Sequence, residues 1–145
     1  MKWLIALTIV MLSISMCAAN VHNIRHKTGD DILYKLQAGN YDYYLIVFFH
    51  PNQGRDHLRS LNRHLIEKLE NEFLAKNDIK DFYYATLDAT NPTYANLMKQ
   101  VDIDVDDLIN SPALFLMKHG NGFIMTGPRA VGEMKQNLQE LLSME

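Results

Sequence analysis

The sequence predicts an α/β domain with a mixed central sheet flanked by helices on both faces. Three observations carry this. The run Tyr43-Tyr44-Leu45-Ile46-Val47-Phe48-Phe49 is unbroken β-branched, aromatic and aliphatic, the mark of a strand covered on both sides. Stretches with helical periodicity alternate with strand-like ones, which argues for a parallel core. Near the C-terminus a turn joins two strands directly, adding antiparallel pairs.

The elements follow in order. Residues 28–36 read as a short helix: Thr28 can cap it, Asp30 and Asp31 sit in its first turn, and Ile32, Leu33 and Leu36 make its apolar face. Gly39 and Asn40 end it, and the strand at 43–49 follows. His50-Pro51-Asn52-Gln53-Gly54 breaks that strand. A long helix then runs to about Lys76, with Leu58, Leu61, Leu65, Leu69 and Phe73 at three- and four-residue steps. Residues 82–88 form the second central strand. Asn91 caps a short helix, with Pro92 at its first position, that runs to about Gln100. Residues 113–117 are a strand, and His119-Gly120-Asn121-Gly122 turns into another at 123–126. The last helix spans about 131–144 and buries Met134, Leu138, Leu141 and Leu142. The predicted order is α-β-α-β-α-β-β-α.

The N-terminus reads as a targeting segment. Lys2 is followed by an apolar run from Trp3 to Met16, and Cys17-Ala18-Ala19 offers small residues for signal peptidase. Residues 1–19 are thus a signal peptide or, alternatively, an uncleaved membrane anchor, short against the roughly 20 residues of a usual span. Residues 20–145 form one domain. The implied location is the secretory pathway, either the lumen of the endoplasmic reticulum or outside the cell, with a membrane-anchored protein as the alternative. The C-terminal Leu142-Ser143-Met144-Glu145 is not a Lys-Asp-Glu-Leu-type retention signal. Cys17 is the only cysteine, so the mature domain has no disulfide and depends on its core. The formal net charge of −3 lacks the basic footprint of a nucleic-acid binder.

Four local signatures, in order, resemble the thioredoxin and protein disulfide isomerase family over about residues 28–144. Leu45-Ile46-Val47-Phe48-Phe49 is similar to the strand leading into the active-site loop. Asn110-Ser111-Pro112-Ala113-Leu114-Phe115-Leu116 is similar to the cis-proline segment and the strand after it. Lys118-His119-Gly120 resembles the family's turn, and Thr126-Gly127-Pro128-Arg129 resembles the stretch before its last helix. The resemblance implies a thioredoxin-like fold and a cis peptide bond at Ser111-Pro112.

Two departures bear on function. Gln53-Gly54-Arg55-Asp56 stands where the resemblance places Cys-x-x-Cys. That chemistry needs a thiolate at a helix N-terminus and a second thiol to resolve the mixed disulfide. An amide and a carboxylate cannot supply it, so the expectation is a redox-inactive, non-enzymatic member with no cofactor and no catalytic residue. The second departure is an insertion, Asp104-Val105-Asp106-Asp107-Leu108-Ile109-Asn110-Ser111, before Pro112. It would lie over the face where redox members hold substrate. Redox-dead relatives commonly bind or scaffold other proteins, which implies a protein partner here. Candidate contacts are Arg55, Asn110, Ser111 and Pro112, with an extended segment adding beside Pro112. The alternative is an accessory subunit of a membrane complex held by the uncleaved N-terminal helix; membrane contact is expected only if that segment is retained.

Other patterns read as ordinary structure. Asp102, Asp104 and Asp106 match the start of a calcium loop, but Asp107 stands where glycine should turn and Ala113 where the bidentate glutamate belongs. His50, His57 and His64 recur every seven residues without the i, i+4 pairing of a zinc helix; no metal site is expected. Arg55, Arg59 and Arg63 form a stripe that could grip an anion beside the helix N-terminus. Its ordinary reading is a solvated face, with Asp56 and Glu67 in reach to pair.

Overall fold

The computed structural model describes residues 20–39, 42–77, 79 and 81–144. The expected signal peptide or anchor, together with Asn40 and Tyr41, lies outside them. Among the described residues no helix is long and apolar enough to cross a membrane.

The chain opens with a strand that the sequence pattern does not reveal, β1 (Asn20–Asn23). The predicted order is corrected accordingly: β precedes the first helix. Then come α1 (Gly29–Ala38), β2 (Tyr43–Phe49), α2 (Arg55–Leu69), β3 (Asp81–Asp88), α3 (Ala95–Gln100), β4 (Ala113–Lys118), β5 (Asn121–Met125) and α4 (Ala130–Ser143). Thr28 caps α1 in a reciprocal box with Asp31, so two otherwise free N–H groups are satisfied. Asp31 accepts from the Lys27 and Thr28 amides, and those bonds hold its carboxyl below the usual value. At its C-terminal end α2 widens into a π-turn at Glu70–Leu74. Asn91 caps a 3-10 turn at Pro92–Tyr94 that leads into α3.

The five strands lie in the order β1-β3-β2-β4-β5. β1 and β2 both run parallel to β3, and β4 runs antiparallel to β2 and β5. Lys118 pairs with Asn121 across the β4–β5 turn, where His119 and Gly120 both take positive φ; this two-residue geometry matches the twist of a hairpin.

β2 is the central strand and divides the core. Tyr44, Ile46 and Phe48 point to one side, where they pack with Ile32, Leu36, Leu97 and Leu108. Tyr43, Leu45 and Val47 point to the other and meet Leu65, Leu69, Phe73, Met134 and Leu138. Thus α1 and α3 cover one face, and α2 and α4 the other. Each large side chain so buried contributes about 1.5–3 kcal/mol. The Tyr43 ring stacks on Phe82, meets Phe73 edge-on, and carries the Lys118 ammonium 3.9 Å from its centroid. Burial holds the Lys118 amine below its ordinary pKa.

Asn62 ties α2 to the sheet. Its Oδ1 accepts from the Tyr84 hydroxyl and, at 3.3 Å, from the Thr86 hydroxyl. Both tyrosine pairs of the sheet resist ionisation: burial raises all of Tyr43, Tyr44, Tyr83 and Tyr84, with Tyr44 and Tyr84 pushed up to about 12.

Candidate functional site

The end of β2 is anchored by the Ala89 amide, which donates to the Phe49 carbonyl at 2.9 Å. The chain then turns tightly. His50 Nδ1 accepts from the Asn52 amide at 3.1 Å, and the Gln53 amide donates to the His50 carbonyl at 3.0 Å, closing a 3-10 turn over Pro51–Gln53. Gly54 follows with φ 83° and ψ 147°, backbone that side-chain-bearing residues essentially avoid. It launches α2 at Arg55, and the Leu58 amide makes the first helical bond to the Gly54 carbonyl. No side chain caps this helix start. Asp56 is favourably placed against its positive end, while Arg55 is opposed by it.

The four predicted loop residues are therefore contiguous: Gln53 partly buried at the end of the 3-10 turn, Gly54 at the bend, and Arg55 and Asp56 exposed on the first turn of α2. Gln53 does not point to solvent. Its Nε2 donates to the Leu108 carbonyl at 2.6 Å. Its Oε1 is buried without a hydrogen-bond partner among the described residues. Turning the amide over would set oxygen against oxygen, so the Leu108 carbonyl fixes the orientation.

Leu108 belongs to the acidic insertion. Asp104 caps a 3-10 turn at Val105–Leu108 by accepting from the Asp106 amide at 3.1 Å. Leu108 buries its side chain, while Ile109 and Asn110 are exposed, Ser111 is partly buried and Pro112 is buried. The segment before Pro112 thus reaches the loop after β2. The residue that makes the junction is Leu108, which sequence reasoning missed. Its signal was the apolar pair Leu108-Ile109 closing an otherwise acidic run. Among the described residues no hydrogen bond joins Arg55 to Asn110, Ser111 or Pro112.

The expected cis bond at Ser111-Pro112 is not present. No cis peptide occurs among the described residues, and this bond is trans, the isomer favoured by about 0.5–1 kcal/mol before proline. The reading of the arginines as a solvated face holds, but their expected pairing does not. Arg55, Arg59 and Arg63 are exposed, and among the described residues none forms an ion pair; neither Asp56 nor Glu67 reaches them. Lys135 pairs with Glu72, and His22 Nε2 is hydrogen-bonded to Asp81 at 2.8 Å.

Asp104, Asp106 and Asp107 are exposed, and Asp104 and Asp107 line an open cavity of about 880 Å³ with Asn91, Met98, Lys99 and Ile103. Asp102 takes a positive φ of 59° at the bend after α3. His57 and His64 are exposed on α2, and His50 serves as the cap described above. Among the described residues no three His, Cys, Asp or Glu side chains converge as metal ligands. What the loop brings together is an amide, a guanidinium and a carboxylate, equipped for hydrogen bonding and charge pairing.

No family model matches the sequence, and no curated protein matches it. Solved structures do. Spinach chloroplast thioredoxin f (short form) superposes with a TM-score of 0.56 at 18% identity, covering 86% of this chain and 95% of that one. Thioredoxin O2 from Arabidopsis thaliana, in its oxidized state, gives 0.54 at 14% identity, with 85% and 95% covered. Chlamydomonas reinhardtii thioredoxin f2 gives 0.52 at 13%, with 83% and 96% covered. The mixed five-stranded sheet, the helices on its two faces and these neighbours agree: the chain has a thioredoxin-like fold.

Proposed function

We propose that this chain is a non-catalytic protein-binding or scaffolding domain of the secretory pathway, without dithiol–disulfide oxidoreductase activity. One observation carries the reading. Gln53, where the resemblance places the first cysteine, is committed to a structural hydrogen bond with the Leu108 carbonyl. The sequence supports it further, since Cys17 is its only cysteine and exchange needs an attacking and a resolving thiol. With the chemistry gone, the helix start and the insertion remain as surface. Of the expected contacts Arg55 and Asn110 are exposed and Ser111 is partly so, while Pro112 is buried and drops out; Ile109 is exposed beside them.

Two measurements on the full chain test this. Insulin reduction and disulfide isomerisation should stay at background. A photo-crosslinking residue placed at Asn110 should trap a partner from secretory-lumen extract, and the partner, identified by mass and purified, should bind again with or without reductant. A control crosslinker at Gln139 on α4 should trap nothing. Turnover, or crosslinking that reductant abolishes, would sink the proposal.

A further inference from the structure

We propose that the flank of α2 bearing Arg55, Arg59 and Arg63 docks an acidic segment of a partner protein, each guanidinium taking a carboxylate. This rests on the protein-binding reading and gives it a partner chemistry.

The three arginines recur every four residues on one helix. At 1.5 Å rise per residue, successive guanidinium stems stand about 6 Å apart. Carboxylates at every fourth position of a helix match that spacing, as do those at alternate positions of a strand. The arginine fork takes a carboxylate through two parallel hydrogen bonds.

Among the described residues the stripe makes no ion pair, although Asp56 and Glu67 stand on the same helix. Arginines four apart repel one another. Arg55 also sits at the first position of α2, against the positive end of a helix that no side chain caps. Yet among the described residues no carboxylate pairs with any of the three, in a chain whose formal net charge is −3. An acidic ligand would relieve all of these repulsions together. Its platform is stiff: Leu65 and Leu69 are buried on another face of α2, and Asn62, beside the stripe, is bonded to Tyr84 and Thr86 of β3.

A lipid surface fits less well. Membrane-surface helices set apolar side chains beside their basic ones. Among the described residues the exposed large hydrophobics are Tyr34, Ile109, Ile124 and Met144, and none of these lies on α2.

The test measures binding of the full chain to a short labelled helical peptide with glutamate at every fourth position, to its glutamine counterpart, and to vesicles of phosphatidylserine in phosphatidylcholine. The glutamate peptide should bind at least about tenfold tighter than the glutamine one, as charge-assisted bonds require. That preference should fade between about 50 and about 300 mM salt as screening sets in. Arg59→Glu with Arg63→Glu should abolish it, while the double lysine variant keeps part. Unchanged circular dichroism would show that the variants fold. Equal binding of the two peptides, wild-type binding by the double glutamate variant, or stripe-dependent capture of vesicles without peptide preference would overturn the proposal. If the stripe fails while the crosslink at Asn110 still forms, only this inference falls. If both fail, the protein-binding reading falls with it.

Discussion

The Gln53 side chain donates to the Leu108 carbonyl at 2.6 Å, pinning the loop after β2 to an insertion 55 residues further on. The bond satisfies a carbonyl at the end of the Val105–Leu108 turn, a group that 3-10 geometry leaves open. It also leaves Gln53 Oε1 buried and without a partner among the described residues.

Replacing Gln53 with alanine removes the donor and leaves the carbonyl without it. We expect a loss of about 1–3 kcal/mol, read from urea denaturation, and faster proteolysis within residues 104–110. An unchanged midpoint with unchanged protease resistance would show that the insertion is held by Leu108 packing alone.

Leu108→Ala attacks that packing. The side chain is 1% exposed among the residues on the α1–α3 face, so truncation should cost about 2–5 kcal/mol. A loss below about 1 kcal/mol would mean the insertion collapses freely into the gap.

The glycines separate backbone strain from helix propensity. A Cβ at Gly54 would meet nothing within 4 Å, but φ there is 83°. Gly54→Ala should therefore destabilise by about 1–3 kcal/mol through strain alone. Gly132 also has open space around it and lies within α4. Gly132→Ala should stabilise by about 0.5–1 kcal/mol. Chemical denaturation of the two variants reads both signs.

Alkali should unfold the protein through its tyrosines. In the unfolded chain they ionise near 10, whereas Tyr44 and Tyr84 hold their protons to about 12 when folded. Between those values the folded state binds more protons, so stability falls as pH rises, by about 1.4 kcal/mol per unit per tyrosine. Lys118, shifted down, works in the opposite sense, but its effect saturates once ordinary lysines have lost their protons near 10.4. Urea midpoints from about pH 9 upward should show the decline, and Tyr84→Phe should flatten it. A decline just as steep in that variant would remove Tyr84 from the explanation.

Much of this architecture was legible in the residues. The β2 run, the Thr28 cap and the Asn91-Pro92 start are local signals, and local signals survive folding. β1 was not legible because Asn-Val-His-Asn has one apolar residue and is a strand only through its pairing with β3. The π-turn at Glu70–Leu74 keeps the apolar spacing of an ordinary helix. At the site, the break after β2 at residues 50–54 could be read directly, whereas the cysteine position given to Gln53 came from the resemblance. The contact to Leu108 could not be read, since it depends on how a run of aspartates turns, and Asp104 settles that by capping its own segment. The proline isomer followed from the resemblance rather than from any local chemistry, and there the expectation failed.

The pairing of β2 has a consequence for the order in which the chain can fold during synthesis. Tyr44 pairs with Met117 and Phe48 with Ala113, while the other edge of β2 pairs with β3. A nascent chain ending near Gln100 has the most apolar strand of the molecule with one edge bare. One layer of its cover is also incomplete, because Met134, Leu138 and Leu141 of α4 are not yet made. Native closure thus waits for the last third of the sequence. Until then residues 43–49 are the segment most exposed to mispairing between chains, and the one a holding chaperone would grip.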